Sequence, residues 1–495
     1  MESIKNVKYE RVYVETPLDT DADGKRDLIA CYILLPQNAS ARNPVPAVFI
    51  ANPYMMECNE DLYTLHNVDM ELPVQEAHNF TPEDLLFKPE RLPEITPRKP
   101  AGAAFSSPVD ASLFDVVLKN NNPFYQTLPS RGYAVVFCGG LGTKGSEGFI
   151  STGSRNEVLA FKSVIDWLCG RVNAFTDLTS SISVEASWCN KKVGMTGKSY
   201  VGTTCWGVAS TGVDGLITII PEAGISNWYD YYRQNGLCSP ALDWQGDDID
   251  LLSDYCMSRR LDEKDWADIS DAYARYSEFM RVDNDRANGT YNRFWDERNY
   301  KKHSSKMRAS ALIVHGINDW NVKMNQCAPM WVELNARGIP CRMLLHQGEH
   351  IRINTLEDID FNNIFYDWLD YWLLDKDNGI MDRLVGACVE SNLDPKEWLL
   401  SECWPPKDSK KKTYCAAKNA LLIEGDSPEE GKLNFTDDLS LSPYDREADN
   451  QGEWLQALCG TTNEWSARLF TKSFEQVTRL SGTPRVSFDA VLDCE

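Results

Sequence analysis

The sharpest chemical feature of the chain is a serine between glycines at the end of an apolar run. It reads Val193-Gly194-Met195-Thr196-Gly197-Lys198-Ser199-Tyr200-Val201-Gly202. A short strand leading through Gly-x-Ser into a helix-forming segment is the context of a nucleophile elbow, which lifts a hydroxyl above a sheet edge. The second glycine falls at +3, and Val201 occupies the +2 position. A hydroxyl is a weak nucleophile until a base takes its proton. The chain has six histidines: His66, His78, His303, His315, His346 and His350. The first four precede any acid that would suit them, and His346 sits inside an apolar run and reads as packed core. His350, in Gln347-Gly348-Glu349-His350, lies just past that run, where a loop can aim it. The acid expected to orient it is Asp319, in Gly316-Ile317-Asn318-Asp319-Trp320 after the run Ala311–His315. Such a carboxylate fixes the imidazole tautomer and stabilises the imidazolium. Taken alone, Asn318-Asp319 reads equally well as a turn.

Positioning these groups takes strand ends in a row. Val45–Asn52, Tyr133–Cys138, Val193–Thr196, Leu216–Ile220, Ala311–His315 and Arg342–His346 are short apolar runs, with helical spacing in Arg155–Leu168, Tyr200–Ser210 and Phe361–Leu374. Buried strands alternating with helices predict a parallel sheet covered on both faces. The order serine, acid, histidine along such a chain is that of the α/β-hydrolases. Segments 248–260 and 263–281 are charged and helical, and predict a cap inserted above the sheet. Residues 66–125 are proline-rich and read as a long loop. After residue 376 short alternating segments and turn clusters (Pro405–Lys412, Glu424–Gly431) predict a β-sandwich, with final strands at Ser466–Phe470 and Arg485–Val491. The expected domains are therefore 1–235 and 306–375 for the core, 236–305 for the helical cap and 376–495 for a C-terminal β domain.

At 495 residues, 43% hydrophobic and 25% charged, the composition is that of a globular protein. A net charge of −23 excludes a phosphate-binding surface as the main theme, so no nucleic acid or anionic membrane partner is expected. The first 14 residues carry charges throughout and lack an apolar signal core. Fifteen scattered cysteines without a C-x-x-C pair fit reduced thiols, and a cytoplasmic location is expected. Two motifs are set aside. Gly140-Leu141-Gly142-Thr143-Lys144-Gly145 matches a dinucleotide fingerprint but comes late and opens no helix, so it reads as a loop shaping the site. Asp19-Thr20-Asp21-Ala22-Asp23-Gly24 begins like a calcium loop, yet position 12 is Ala30 where a glutamate is needed, so it reads as a turn between strands. No metal and no cofactor are expected.

Gly197–Gly202, His315–Lys323 and Leu345–His350 together resemble the active-site blocks of bacterial Xaa-Pro dipeptidyl-peptidases, which group with cocaine esterase and the α-amino-acid ester hydrolases. The resemblance covers roughly residues 8–375 well and the remainder more loosely. It implies an α/β-hydrolase core with a helical cap insertion and a C-terminal jelly-roll, and release of N-terminal dipeptides with proline second. It also implies that Tyr54, in Asn52-Pro53-Tyr54, and the Tyr200 backbone N–H form an oxyanion hole. Trp228 and Tyr231, in the segment Ile225–Tyr232, would line the proline pocket. The substrate ammonium calls for buried carboxylates, for which Asp247, Asp248 and Asp250 are candidates. The partners implied are peptides with proline at the second position. The family's helical N-terminal domain, which contributes to dimerisation, has no counterpart in these 495 residues, which leaves a homodimer open. An esterase or amino-acid ester hydrolase with the same triad, and a non-catalytic binding protein of the same fold, are the rival readings.

Overall fold

The computed structural model describes residues 6–60, 64–67, 70–71, 81–89, 91–234, 236–239, 244, 246–427, 432–436 and 467–491. Runs of β-branched and apolar residues make the strands of one large sheet: Val7–Glu15 (β1), Leu28–Pro36 (β2), Val45–Ala51 (β3), Ala134–Cys138 (β4), Cys189–Lys198 (β5), Leu216–Glu222 (β6), Ser310–Gly316 (β7), Cys341–His346 (β8), Ala387–Glu390 (β9) and Trp398–Ser401 (β10). They lie in the order β10-β9-β8-β7-β6-β5-β3-β4-β2-β1, followed by three short edge strands. From β4 to β9 every pairing is parallel, whereas β2 runs antiparallel to both β1 and β4. Every residue of β2, β3, β4 and β7 is buried, as expected of a sheet covered on both faces. This is an α/β-hydrolase sheet.

Helices Arg155–Leu168 (α1) and Tyr200–Ser210 (α2) are among those covering it, and all eleven residues of α2 are buried. Such depth requires small contacts. A Cβ at Gly202 would lie 2.6 Å from the Glu222 carbonyl oxygen, and one at Gly197 would lie 2.3 Å from a Val201 methyl. The glycine at +3 of the serine motif thus serves the contact of α2 with β6, and Val201 at +2 covers Gly197.

The cap is helical, with Ile249–Cys256 (α3) and Glu263–Asp283 (α4) started by the side chains of Asp248 and Asp262. The glycine loop 139–148 docks it on the core. The Gly142 carbonyl accepts from the Arg259 N–H at 3.1 Å, and the Lys144 N–H donates to Ser258 Oγ at 3.0 Å. The loop therefore does positional work, and the next helix starts only at Arg155.

The sheet continues past residue 375, because β9 pairs with β8, and the division into two compact units falls after Leu400. Described residues of the second unit hold a three-stranded sheet, Tyr414–Ala417, Leu421–Glu424 and Phe470–Thr471. Ser466 and residues 428–431 lie outside the described residues. Arg485–Val491, expected as a strand, is irregular, with Val486, Phe488 and Val491 exposed. Its alternation suits a strand, but no described neighbour pairs with it. No helix among the described residues is long and apolar enough to cross a membrane.

Candidate active site

Chain order reverses direction in the sheet around β3, which has β4 on one side and β5 on the other. Ligands of open α/β sheets bind beyond the carboxyl ends of strands at such a switch point. Tyr54 follows β3 and Ser199 follows β5.

Ser199 has φ 63° and ψ −128°, a sparsely populated combination for a residue with a side chain. Such strain costs about 1–3 kcal/mol and persists only where the surroundings enforce it. Here they do: the Ser199 N–H donates to the Glu222 carbonyl at 2.9 Å, and its own carbonyl accepts from the Thr203 N–H at 2.8 Å and Thr203 Oγ1 at 3.0 Å. Tyr200 opens α2, so its N–H has no partner within the helix and is available to a ligand.

Asp319, on the loop after β7, is buried and accepts three hydrogen bonds. His350 Nδ1 lies 2.7 Å from Oδ2, and the N–H groups of Asn321 and Val322 donate to Oδ1 at 3.0 and 2.8 Å. Two other histidines stand near. His315 Nε2 meets the Val322 carbonyl at 2.5 Å and lies 3.9 Å from Asp319 Oδ2, and burial holds its pKa below the usual range. Burial, reinforced by the neighbouring His315, pushes His346 down to about 4, and its Nδ1 accepts from the Gly348 N–H at 3.1 Å. Both are sealed in the core, whereas His350 keeps part of its ring exposed. Only His350 combines the acid's hydrogen bond with access.

One bond that the sequence reading missed ties the His350 loop to the residue before Ser199. Lys198, immediately before Ser199, donates from Nζ to the His350 carbonyl at 2.6 Å. Burial holds this ammonium below its ordinary pKa, while Glu222 beside it works in the opposite direction.

Tyr54 is held by its own turn, its N–H donating to Asn52 Oδ1 at 3.0 Å, while Asn52 Nδ2 donates to the Asn120 carbonyl and Asn121 Oδ1, both at 3.0 Å. Its ring meets Tyr200 edge-on, with centroids 5.6 Å apart, and Tyr255 at 6.3 Å. Burial keeps the phenol protonated far above its usual pKa, so it stays a donor.

Trp228 is fully buried, its Nε1 donating to Tyr300 Oη at 3.2 Å and its ring edge-on to Tyr200 at 5.1 Å. Tyr231 packs edge-on against Trp228 at 5.9 Å and donates to Asn321 Oδ1 at 2.8 Å, joining the aromatic cluster to the Asp319 loop. A further buried acid, Glu157, accepts from Tyr200 Oη at 2.5 Å, and burial pushes it up to about 7. Its separation of 43 residues from Tyr200 left no signal in the sequence.

The three candidate carboxylates of the cap part company. Asp248 is consumed, receiving Arg233 at 3.0 and 2.8 Å, Arg286 at 2.8 Å and the Ile249 N–H at 2.9 Å. Asp250 faces His66 at 3.1 Å and Asn284 at 3.2 Å, with Arg281 3.7 Å away. Asp247 accepts from Tyr232 Oη at 3.0 Å and is close enough for its charge to raise the pKa values of Tyr231 and Tyr54. Of the three, Asp247 alone is brought to the site.

Asp19, Asp21 and Asp27 bring carboxylate oxygens within 4.8 Å of one another, as a cation site would. Protein donors already engage them: Asp19 accepts from the N–H groups of Asp23 and Gly24, Asp21 pairs with Arg259, and Asp27 accepts from Thr20. The segment is the turn between β1 and β2.

The model of the X-Pro dipeptidyl-peptidase (S15) family matches residues 23–352, two thirds of the chain, spanning Ser199, Asp319 and His350. The chain belongs to this family. It is 33% identical over 495 residues to the Xaa-Pro dipeptidyl-peptidase of Pediococcus pentosaceus, covering 98% of this chain and 60% of that relative. With the Xaa-Pro dipeptidyl-peptidase of Lactiplantibacillus plantarum it shares 36% identity over 449 residues, 90% of this chain and 55% of the relative. The chain thus spans little more than half the length of these S15 relatives. A CocE/NonD family hydrolase from Staphylococcus aureus has the same fold, with a TM-score of 0.51 at 16% identity over 85% of this chain and 60% of that one.

Proposed function

We propose that the chain is a serine peptidase that releases Xaa-Pro dipeptides from peptide N-termini through an acyl-enzyme. One observation carries this reading: a hydrogen bond joins Asp319 to His350 across two loops, and the His350 carbonyl is bonded to Lys198, next to a strained Ser199. Ser199 Oγ attacks the carbonyl after proline as His350 Nε2 takes its proton. Asp319, held by three donors, keeps Nδ1 protonated and stabilises the imidazolium. Tyr54 Oη and the Tyr200 N–H receive the tetrahedral oxyanion. His350 returns the proton to the leaving amine, and water then repeats the sequence to free the dipeptide. Tyr231 offers the flat proline ring an aromatic wall, with the buried Trp228 packed behind it, and Asp247 receives the substrate ammonium. Asp248 and Asp250 have no part in this, because Asp248 is already held by two arginines and Asp250 by His66, Asn284 and the nearby Arg281.

The test is a kinetic comparison of Ala-Pro and Gly-Pro anilides, with free and blocked amino termini, against simple acyl esters. Free dipeptide anilides are expected to react fastest, and Ser199→Ala to abolish both turnover and fluorophosphonate labelling. Equal rates on blocked substrates would remove the exopeptidase reading, and fast esters with inert anilides would make the chain an esterase.

A further inference from the structure

Among the described residues, two thiol pairs stand face to face. Cys31 and Cys138 are direct partners across β2 and β4, and both are fully buried within the sheet. The second pair, Cys58 and Cys256, joins two parts of the molecule. Cys58 follows the Tyr54 turn and is half-buried, while Cys256 ends cap helix α3 and is buried.

Their approach is fixed by Asn59. Its backbone N–H donates to the Tyr255 carbonyl at 2.9 Å, and its side-chain amide reaches the carbonyls of Asp254 and Met257, each at 2.8 Å. The hydrogen-bonded peptide groups, 58–59 and 255–256, are the ones attached to the Cα atoms of the two cysteines. The backbone of Cys58 is thereby held against that of Cys256. The Cys58 thiol is near enough to Cys256 to add to the rise that burial imposes on the Cys256 pKa. Tyr54 lies four residues before Cys58 and packs its ring on Tyr255, the neighbour of Cys256.

We infer that Cys58 and Cys256 are an oxidation site, at which a peroxide closes a disulfide that clamps cap helix α3 to the Tyr54 turn and lowers activity. This regulation rests on the proposed role of Tyr54. In the first step the half-exposed Cys58 sulfur attacks a peroxide oxygen. The O–O bond breaks, sulfenic acid forms, and the thiol proton leaves with the departing hydroxide as water. In the second, the Cys256 sulfur attacks the sulfenic sulfur, and its own proton leaves with the hydroxide as a second water. Two thiols and one hydrogen peroxide become one disulfide and two waters. Burial holds the Cys256 thiol protonated, and proton transfer to the departing hydroxide means that no free thiolate has to persist there. Sulfur–sulfur bonding at about 2 Å draws the two segments closer than thiol contact does, and a misplacement of about 1 Å at a catalytic group costs on the order of 100-fold in rate.

The experiment treats the full chain with hydrogen peroxide, alkylates the remaining thiols, and maps linked peptides by mass spectrometry. Alanyl-prolyl anilide turnover is followed in parallel. Expected are a Cys58–Cys256 linked peptide, a fall in kcat/KM of about tenfold or more, recovery with dithiothreitol, and resistance in Cys58→Ser and Cys256→Ala, whose folding is checked by thermal melts. Absence of the linked peptide overturns the site, and equal loss of activity in the two variants overturns the control. A linked peptide without loss of activity removes the clamp on Tyr54. Mapping needs no turnover, so its failure is distinct from failure of the peptidase reading.

Discussion

Replacing Tyr54 with phenylalanine isolates one oxygen atom. The ring contacts to Tyr200 and Tyr255 involve carbon and survive, and the bond from the Tyr54 N–H to Asn52 is untouched. No described residue accepts from or donates to the hydroxyl, so its removal strands no protein partner, and stability is expected to stay within about 0.5 kcal/mol. Because burial keeps the phenol neutral throughout the working range, the wild-type group is always a donor. Losing one preorganised oxyanion donor costs roughly 2.7–4 kcal/mol, a fall of about 10²–10³ in kcat. KM should barely move, since the substrate carbonyl gains most from the donor only when it becomes an oxyanion. The assay is steady-state hydrolysis of alanyl-prolyl p-nitroanilide by wild type and Tyr54→Phe, with thermal melts beside it. A kcat within fivefold of wild type, with an unchanged melt, would refute the assignment.

Lys198→Met removes the bond to the His350 carbonyl, and kcat should fall by roughly 10–100-fold, as for a displaced base, with partial recovery in Lys198→Arg. A uniform loss of stability with normal kcat per folded molecule would contradict this. Asp247→Asn should raise KM for free dipeptide anilides and leave blocked substrates unaffected, and a common shift for both would remove its ammonium role. Burial, with Asp21 adding to it, raises Asp27 to about 8. Between about pH 4 and 8 the unfolded chain ionises this group while the native state keeps its proton, so its contribution to stability is lost as pH rises. Asp27→Asn removes that loss, and its melting temperature relative to wild type should climb from pH 4 to pH 8. A flat difference would mean that Asp27 is ionised in the fold.

The elements nearest the chemistry were legible because their patterns are local. Arg155–Leu168, Tyr200–Ser210 and Phe361–Leu374 form helices over those same residues, and the apolar strand cores recur with ends moved by a few residues. Position in the sheet was less legible. Ala387–Glu390 looks like any short apolar segment, and only its pairing with β8 makes it part of the core. Arg485–Val491 has the alternation of a strand and stays irregular, because alternation supplies faces but no partner.

The site divides in the same way. Residue type and chain order were enough to single out Ser199, Asp319 and His350, since a hydroxyl, a base and an acid following successive strands constitute a chemical requirement that the sequence states directly. Which of the three cap carboxylates the arginines pair with, and which lysine holds the His350 loop, were decided by folding alone. Those outcomes depend on through-space partners 15 to 152 positions apart in the chain, and on burial, neither of which a local pattern encodes.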